Sequence, residues 1–463
     1  MILITAFFLQ IVFTLPLFLR LLRRRAAGAP SDLLEPSALV SLLHMLTVVP
    51  YLVLLHFDPD IVHPAIQNSL RGQSLESAVL WYGVVQALAF VALQVGISVP
   101  LPWVARMRAL RLNTVPNDWR AGLAVVTCFG LGILGYALFL RGTGGYEEFA
   151  SNMGDRQSQT RGAGYILSLM MGLLFSTCIA VYSFRYGWSR SKILFAAVIF
   201  VGAYVAYTSF GGRKLGIHLI LYAALTWHYG VRRIVKVPWK GVALAALLIP
   251  WFVALPLFRV EGATTLYRNN PDQLRKDVVE NLDLVVRQLS YSETYIFITN
   301  YVQPGDIWWG QSYLDLLLMP IPRNLMENKP PGDDGIYIRN LADGRQVRPG
   351  TAQSEMIEVS WPPETLGVGY LNFWVPGVIF GMLFLGMIYR AAYVYMESCQ
   401  YGLHSIVCYA TILLNFHLSN LRIAQCLITI ALATALFAVL LGLPLRSNRA
   451  RRFIPHAGEA TSA

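Results

Sequence analysis

Five basic residues stand where so apolar a chain leaves little room for charge: Arg213, Lys214, Arg323, Lys329 and Arg422. The first two fall at a tight turn between apolar runs, the next two in a proline-rich stretch, and the last between two runs with almost no loop. Charge at such positions is costly and commonly functional, although long basic side chains also anchor helix ends at the interface. Arginine grips phosphate with a planar fork, and lysine adds a point charge. If the three segments meet at one membrane face, they predict a site for a lipid-linked phosphate or pyrophosphate.

Polar side chains accompany two of these basic positions. Lys214 and His218 are four residues apart, so a helix places both on one face. His417 and Asn420 lie in the turns just before Arg422. A single histidine near a helix end is often only a structural hydrogen-bonding group, so both a structural and a functional interpretation of this second cluster stay open.

Other motifs predict little chemistry. Asp333 and Asp334 could ligate a metal, but adjacent carboxylates in a Gly- and Pro-rich stretch are typical of solvated turns. The sequence has no Walker loop, HExxH, GxSxG or dinucleotide fingerprint. The five cysteines lie in or beside apolar segments without a CxxC pair, which favours small buried side chains. We therefore predict neither a metal nor a cofactor.

The composition indicates what kind of elements must position these residues. Hydrophobic residues make up 55% of the chain, charged residues 14%, and the mean hydropathy is +0.50. A soluble chain carries about 25% charged residues, so this composition is typical of a polytopic membrane protein. The net charge of +11 would suggest nucleic-acid binding in a soluble protein. Here an excess of Lys and Arg in cytoplasmic segments accounts for it, and we expect no nucleic-acid partner.

Eleven apolar runs approach the length of about 20 residues that a spanning helix needs. They cover approximately 1–22, 37–57, 77–99, 121–140, 163–184, 193–210, 215–231, 241–258, 366–389, 403–421 and 423–445. Three arginines follow the first run rather than precede it, which favours a retained helix with its N-terminus outside over a cleaved signal peptide. Positive charge then concentrates in the inside segments. The sequence thus predicts an all-α polytopic membrane helix bundle of about eleven transmembrane helices, N-terminus out and C-terminus in.

One long segment interrupts these runs and divides the chain. We expect helices 1–8 in residues 1–258, a large, partly helical extracytoplasmic loop in 259–365, helices 9–11 in 366–446 and a basic cytoplasmic tail in 447–463. In the loop, Asn270-Pro271-Asp272 predicts a helix start. An apolar stripe then follows at helical spacing and comprises Leu274, Val278, Leu282, Val285 and Leu289. This helix either packs on the rest of the loop or lies on the outer membrane surface as a lid.

Three short motifs resemble those of the Wzy-type oligosaccharide repeat-unit polymerases, which build bacterial O-antigen and exopolysaccharide. They are Gly211-Gly212-Arg213, Ile321-Pro322-Arg323 followed by Lys329-Pro330, and Gly369-Tyr370-Leu371-Asn372-Phe373 leading into Gly377-Val-Ile-Phe-Gly381. Their order, their spacing and the large outer loop also fit, and the resemblance spans most of the membrane region. One departure is Trp374, where the family usually has glycine, which leaves open the angle at which this helix enters the membrane.

The resemblance implies a membrane glycosyltransferase in the bacterial cytoplasmic membrane, with its active site facing the periplasm. A growing glycan on undecaprenyl pyrophosphate would be transferred en bloc, with inversion and without a metal, to the non-reducing end of one repeat unit on the same carrier. The five basic residues would bind the pyrophosphate. The acceptor hydroxyl needs a base, and we rank four side chains for this role in the order His417, Glu364, Glu358 and Glu355. Candidates for positioning the substrate are His218, Tyr370, Asn372 and Asn420. The partners implied are the lipid-linked oligosaccharide, the bilayer and a chain-length regulator.

Three other functions remain open. An O-antigen ligase would pass finished glycan to lipid A. A glycosyltransferase using a monosaccharide on polyprenyl phosphate would rely on Asp58 and Asp60, two carboxylates in the first outer loop. A polysaccharide transporter or flippase would show inverted repeats and polar residues at mid-depth. Here the mid-depth residues are mostly apolar and the charges gather at one face, which argues against transport.

Overall fold

The computed structural model describes residues 1–26, 28, 32–70, 72–106, 118–151, 159, 163–210, 213–234, 254, 257–258, 263–281, 283–321 and 325–442. In this part of the chain the regular structure is helical, without a β-strand. The first helices are α1 (Ile2–Ala26), α2 (Pro36–Phe57), α3 (Pro64–Ser69), α4 (Leu75–Ser98), α5 (Pro102–Arg106), α6 (Asp118–Gly142), α7 (Tyr146–Ser151), α8 (Gly164–Leu169), α9 (Met171–Tyr182), α10 (Arg190–Ser209) and α11 (Arg213–Gly230). The long loop contributes α12 (Ala263–Asn269), α13 (Pro271–Glu280), α14 (Asp283–Leu289), α15 (Ser292–Tyr301), α16 (Ser312–Leu318) and α17 (Asp334–Ala342), and the chain then forms α18 (Glu364–Ser398), α19 (Leu403–Asn415) and α20 (Asn420–Leu441).

Eight helical segments in the described ranges are long and apolar enough to cross a membrane. They are α1, α2, α4, α6, the consecutive α8 and α9, α10, α18 and α20. This result confirms the predicted all-α polytopic membrane bundle. The other three predicted spans are not among the eight: α11 is more polar, α19 has only 13 residues, and most of 241–258 lies outside the described residues. The predicted helix over 403–421 is therefore wrong in length, because the chain leaves the helix after Asn415.

The helical part of the long loop covers the end of the bundle at which α4 begins. The Asn300 side chain of α15 donates to the backbone oxygen of Ala78 in the first turn of α4 (3.5 Å). The amino group of Met1 lies at the same end, 3.6 Å from the Glu76 carboxylate. The loop and the start of the chain are thus on one side of the bundle, as the N-terminus-out topology requires of an extracytoplasmic loop.

The helix predicted from Asn270 begins as expected but is shorter. The Asn270 side chain accepts a hydrogen bond from the Gln273 backbone N–H (3.2 Å) and caps α13. The helix ends at Glu280 instead of running on, and α14 starts separately at Asp283. Leu274 and Val278 pack on a small apolar cluster formed by Leu257 and Tyr267. These contacts favour packing against the start of the loop and the residues just before it for the first half of the predicted stripe. The side chains of Leu282 and Val285 lie outside the described residues.

A kink at Phe373 and Trp374 redirects α18 near its start. Trp374 has φ 57° and ψ −147°, in the region of backbone space that favours glycine. The Trp374 indole N–H donates to the Tyr370 hydroxyl (2.8 Å), which also accepts from the Trp81 indole N–H (3.2 Å). Tyr370 in turn donates to the backbone oxygen of Thr299 in α15 (3.2 Å). Trp374 therefore occupies a glycine-type conformation because its indole hydrogen bond helps to hold it there.

The kink brings two glycines of the same helix into backbone contact. A Cβ atom added to Gly369 would lie 2.7 Å from the backbone oxygen of Gly377, and one added to Gly377 would clash with the backbone oxygen of Gly369. Side chains cannot be accommodated at such a distance, so the motif requires glycine at both positions. By contrast, a Cβ on Gly381 would make ordinary contacts of 3.5–3.6 Å with Leu418 and Thr365.

We predict that Gly377→Ala destabilises the protein by about 1–3 kcal/mol through overpacking against the Gly369 carbonyl. The matched substitution Gly381→Ala should be neutral or stabilising by up to about 1 kcal/mol, because alanine is the better helix former. Thermal unfolding of both purified variants in detergent measures the difference. Equal melting temperatures for the two variants would show that the two segments do not approach as closely as described.

Candidate functional site

A buried ion pair between Glu364 and Arg422 forms the centre of the candidate site. Glu364 is the first residue of α18, and Arg422 lies in the first turn of α20. The Arg422 Nη2 is 2.9 Å from Glu364 Oε1, and its Nε is 3.2 and 3.3 Å from the two carboxylate oxygens. The two side chains are only 3% and 11% exposed. Leaving either charge buried without the other would be strongly destabilising, so each residue fixes the position of the other.

The backbone of Glu364 is itself in an uncommon conformation. Its φ is 47°, in the left-handed region that residues with a side chain rarely adopt. Such a conformation costs on the order of 1–3 kcal/mol and persists only where the surroundings enforce it. Here the ion pair with Arg422 and the hydrogen bond from Gly367 N–H to the Pro363 carbonyl (2.8 Å) enforce it.

His417 lies beside this ion pair, in the non-helical link between α19 and α20. Its Nε2 is 3.6 Å from Glu364 Oε2, and its Nδ1 is 3.4 Å from the Thr365 hydroxyl. Burial lowers the pKa of His417 to about 4; the Glu364 carboxylate opposes this change and Arg422 reinforces it. Its side chain is still 28% exposed. His417 is therefore a neutral imidazole near pH 7 and can accept a proton from a group that reaches it.

Lys214 and His218 of α11 complete the cluster, as their spacing predicts. The charge of Lys214 interacts with those of Glu364 and Arg422, and His218 interacts with the same two residues. The structure thus brings together five of the predicted site residues from three parts of the chain. They are Lys214, His218, Glu364, His417 and Arg422.

Tyr291 is a site residue that the sequence analysis missed. It is the N-cap residue of α15, and its hydroxyl interacts with both Glu364 and Arg422. Burial raises the pKa of its phenol, and the Glu364 carboxylate acts in the same direction. The sequence gives no signal for this residue, because one tyrosine before a short helix is unremarkable without its tertiary neighbours.

Asn420 anchors the beginning of α20 to the loop. Its backbone N–H donates to Asp334 Oδ2 (2.8 Å), and its amide nitrogen donates to Asp334 Oδ1 (3.1 Å) and to the Ser312 carbonyl (2.6 Å). Asp334 is buried, and burial raises its pKa to about 8. The solvated-turn interpretation of Asp334 is therefore wrong. Its neighbour Asp333 instead caps α17 by accepting from Gly335 N–H (2.9 Å).

Several other predicted residues have structural partners instead. The Lys329 ammonium donates to the backbone carbonyls of Met319 (2.8 Å) and Ile321 (2.6 Å). The Asn372 amide donates to the Ser312 hydroxyl (2.8 Å), and Tyr370 belongs to the hydrogen-bond network at the α18 kink described above. These contacts account for the three residues without a substrate.

The remaining predicted residues lie apart from the ion pair or outside the described chain. Glu355 is exposed at the end of a short 3-10 helix, and Glu358 is half-buried in the segment that follows. Asp58 accepts from the backbone N–H of Asp60 (3.3 Å), so this pair forms a local turn at the surface. Arg213 begins α11, but its side chain is outside the described residues, as is the whole of Arg323.

The helices and the buried charge cluster define an all-α polytopic membrane protein with a polar site at one end of the bundle. No family model, curated protein or solved structure matches the chain.

We predict that Arg422→Ala destabilises the protein by about 3–5 kcal/mol, because it leaves the Glu364 carboxylate buried and unpaired. The double variant Arg422→Ala/Glu364→Ala should recover most of this loss, and thermal unfolding of the four proteins of the cycle measures the coupling.

A surface pair provides the control for this cycle. Asp343→Ala removes the partly exposed pair with Arg339, which is worth about 0.2–1 kcal/mol. If Arg422→Ala costs no more than Asp343→Ala, or if the double variant is no more stable than Arg422→Ala, the two charges do not depend on each other.

Proposed function

We propose that this chain is a polymerase of lipid-linked oligosaccharide repeat units in a bacterial cytoplasmic membrane. It would transfer the growing glycan from undecaprenyl pyrophosphate to the non-reducing end of a new repeat unit on the same carrier, with inversion and on the periplasmic side. The observation that carries this proposal is the convergence of the half-buried Lys214 and the largely buried Arg422 on one site beside a neutral histidine. The motif resemblance supplies the identity of the substrates.

Arg422 retains capacity to bind an anion although it is paired. A guanidinium group has five N–H donors. Its Nε–H and one Nη2–H bond Glu364, and one Nη1–H bonds the Gln425 side chain (3.1 Å). The Tyr291 hydroxyl accepts a further hydrogen bond from Arg422, so one donor remains for a phosphate oxygen. Lys214 adds a second positive charge to the cluster, and the Glu364 and Asp333 carboxylates interact with both basic residues.

The proposed reaction needs charge stabilisation and a proton acceptor at adjacent points. The acceptor hydroxyl attacks the anomeric carbon of the donor, the bond from this carbon to the pyrophosphate oxygen breaks, and the lipid pyrophosphate leaves with the electron pair. Arg422 and Lys214 would stabilise the negative charge that develops on the leaving group. His417 would take the hydroxyl proton. Its neutral state supports ranking it before Glu364, whose two oxygens already accept from Arg422.

The test uses purified protein in detergent with undecaprenyl-pyrophosphate-linked repeat units extracted from the producing strain and with EDTA present. A ladder of products on a gel is the expected result. Single transfers that occur only when lipid A is added would identify a ligase instead. Binding of the lipid-linked substrate without any product would favour transport.

We predict that Arg422→Lys lowers the rate of polymerisation about 100- to 1,000-fold, because it keeps a charge but loses the planar fork. Lysine is used instead of alanine so that Glu364 keeps a counter-charge. The matched control Arg339→Lys, at an ion pair in α17, should leave the rate within about twofold. Wild-type rates from folded Arg422→Lys protein would exclude Arg422 from pyrophosphate binding.

The pH dependence tests His417 as the base. Below its pKa the imidazole is protonated and cannot accept a proton, so kcat/KM should fall on the acid side at about pH 4 rather than near 6.5, where an unperturbed histidine titrates. The variant His417→Ala should lose about 100- to 10,000-fold in rate and should lack this acid limb. An acid limb centred near pH 6.5 in the wild type, or one retained in His417→Ala, would assign the base elsewhere.

A further inference from the structure

The loop helix α16 buries its polar side chains and exposes two of its leucines, which is the reverse of the pattern in a water-exposed helix. Its buried side chains are Ser312 and Asp315, which are 0% and 4% exposed. Its exposed side chains include Leu314 and Leu317, at 60% and 72%. An amphipathic helix at a water-facing surface turns its apolar side inward, so water is not the medium that this pattern fits.

Hydrogen bonds fix this orientation from the inner side. The Ser312 hydroxyl bonds the Asn372 side chain in α18, and the Ser312 carbonyl accepts from Asn420 in α20. Asp315 accepts from the Tyr337 hydroxyl (2.7 Å) in α17. Rotating the leucines inward would leave these buried polar groups without partners, which is costly.

The apolar surface extends on both sides of α16 and continues onto a membrane-spanning helix. Trp309 precedes the helix and is 71% exposed, and Leu325 follows it and is 80% exposed. A Cβ on Gly310, next to Trp309, would lie 3.1 Å from the ring of Phe373 in the candidate span α18. Phe380, further along the same span, is 69% exposed. The exposed face of α16 is thus continuous with a surface that faces lipid.

Several backbone groups at the two ends of α16 have hydrogen-bond partners within the protein. Backbone groups in hydrocarbon must be bonded within the protein, because no water can reach them. In the first turn of the helix, the N–H groups of Tyr313 and Leu314 donate to the carbonyls of Gly310 and Gln311. After the helix, the Lys329 ammonium bonds two backbone carbonyls, those of Met319 and Ile321. This role explains why a lysine is folded back onto the backbone here.

We infer that α16, together with Trp309 and Leu325, is immersed in the apolar part of the bilayer beside α18, with its leucine face against lipid. The immersion of α16 does not depend on the reaction proposed above. Since the Ser312 carbonyl holds Asn420, two residues before Arg422, immersion of α16 would also fix the depth of the ion pair relative to the membrane surface.

The experiment places a nitroxide spin label at Leu314→Cys, Leu317→Cys or Leu325→Cys in the full chain, reconstituted into lipid vesicles. The background carries Cys399→Ser, because the other four cysteines are buried. Gln346→Cys, an exposed position in the same loop, is the matched control. Power-saturation spectroscopy then compares collisions with oxygen, which concentrates in the bilayer, and with a water-soluble nickel chelate.

Immersion predicts that labels at 314 and 317 collide at least several-fold more with oxygen than with the nickel chelate, and that the label at 346 shows the opposite preference. A preference for the nickel chelate at both leucine positions would overturn the inference by placing the patch in water. Protection from both reagents would overturn it as well, because a second copy or another protein would then cover the patch. Position 325 lies outside α16. A preference for oxygen there as well would show that the surrounding medium, and not a local disturbance of α16 by the label, causes the result at 314 and 317.

Discussion

The buried pair between Glu364 and Arg422 is the interaction on which the arrangement of the candidate site depends. Two charges withdrawn from water gain little net stability even when paired, and either alone is strongly destabilising. Glu364 is the first residue of α18 and Arg422 lies in the first turn of α20, so a shift of either helix would break the bidentate geometry. The surrounding contacts oppose such shifts, since Asn420 ties α20 to the loop and the Tyr370 network ties α18 to α15. The starts of both helices are therefore anchored around the ion pair.

The kink in α18 allows Glu364 to reach Arg422. A straight helix from Glu364 to Ser398 could not bring the backbones of Gly369 and Gly377 into contact, as the two segments do. The bend occurs at Trp374, in a conformation better suited to glycine. This explains the departure from the motif that the sequence resembles: the residue type differs, but the geometry that glycine would allow is kept, with the indole bonded to Tyr370 as compensation.

The sequence predicts those features that follow from local physics and misses those that depend on tertiary contacts. Apolar runs of membrane length predicted the helical bundle, and the spacing of Lys214 and His218 predicted one face toward the site. The burial of Asp334 depends on contacts between distant segments, which composition and periodicity do not encode. Lys329 is another feature that the sequence could not predict. A basic residue beside prolines suggests phosphate binding, but the sequence does not show that its ammonium instead bonds backbone carbonyls.

His417 is positioned by the contacts that stabilise the non-helical link between α19 and α20. Backbone groups outside a helix need partners within the protein when they are near lipid, and here side chains of α18 supply them. The Thr365 hydroxyl accepts from the Leu418 N–H (2.9 Å), and the Tyr389 hydroxyl donates to the Phe416 carbonyl (3.1 Å). His417 lies between these two anchored residues, so its imidazole is held against Glu364 while remaining partly exposed. A continuous helix through this segment would satisfy its own backbone and would remove the reason for those contacts. Because α19 ends at Asn415, the neutral imidazole of His417 can lie beside the charges of Glu364 and Arg422.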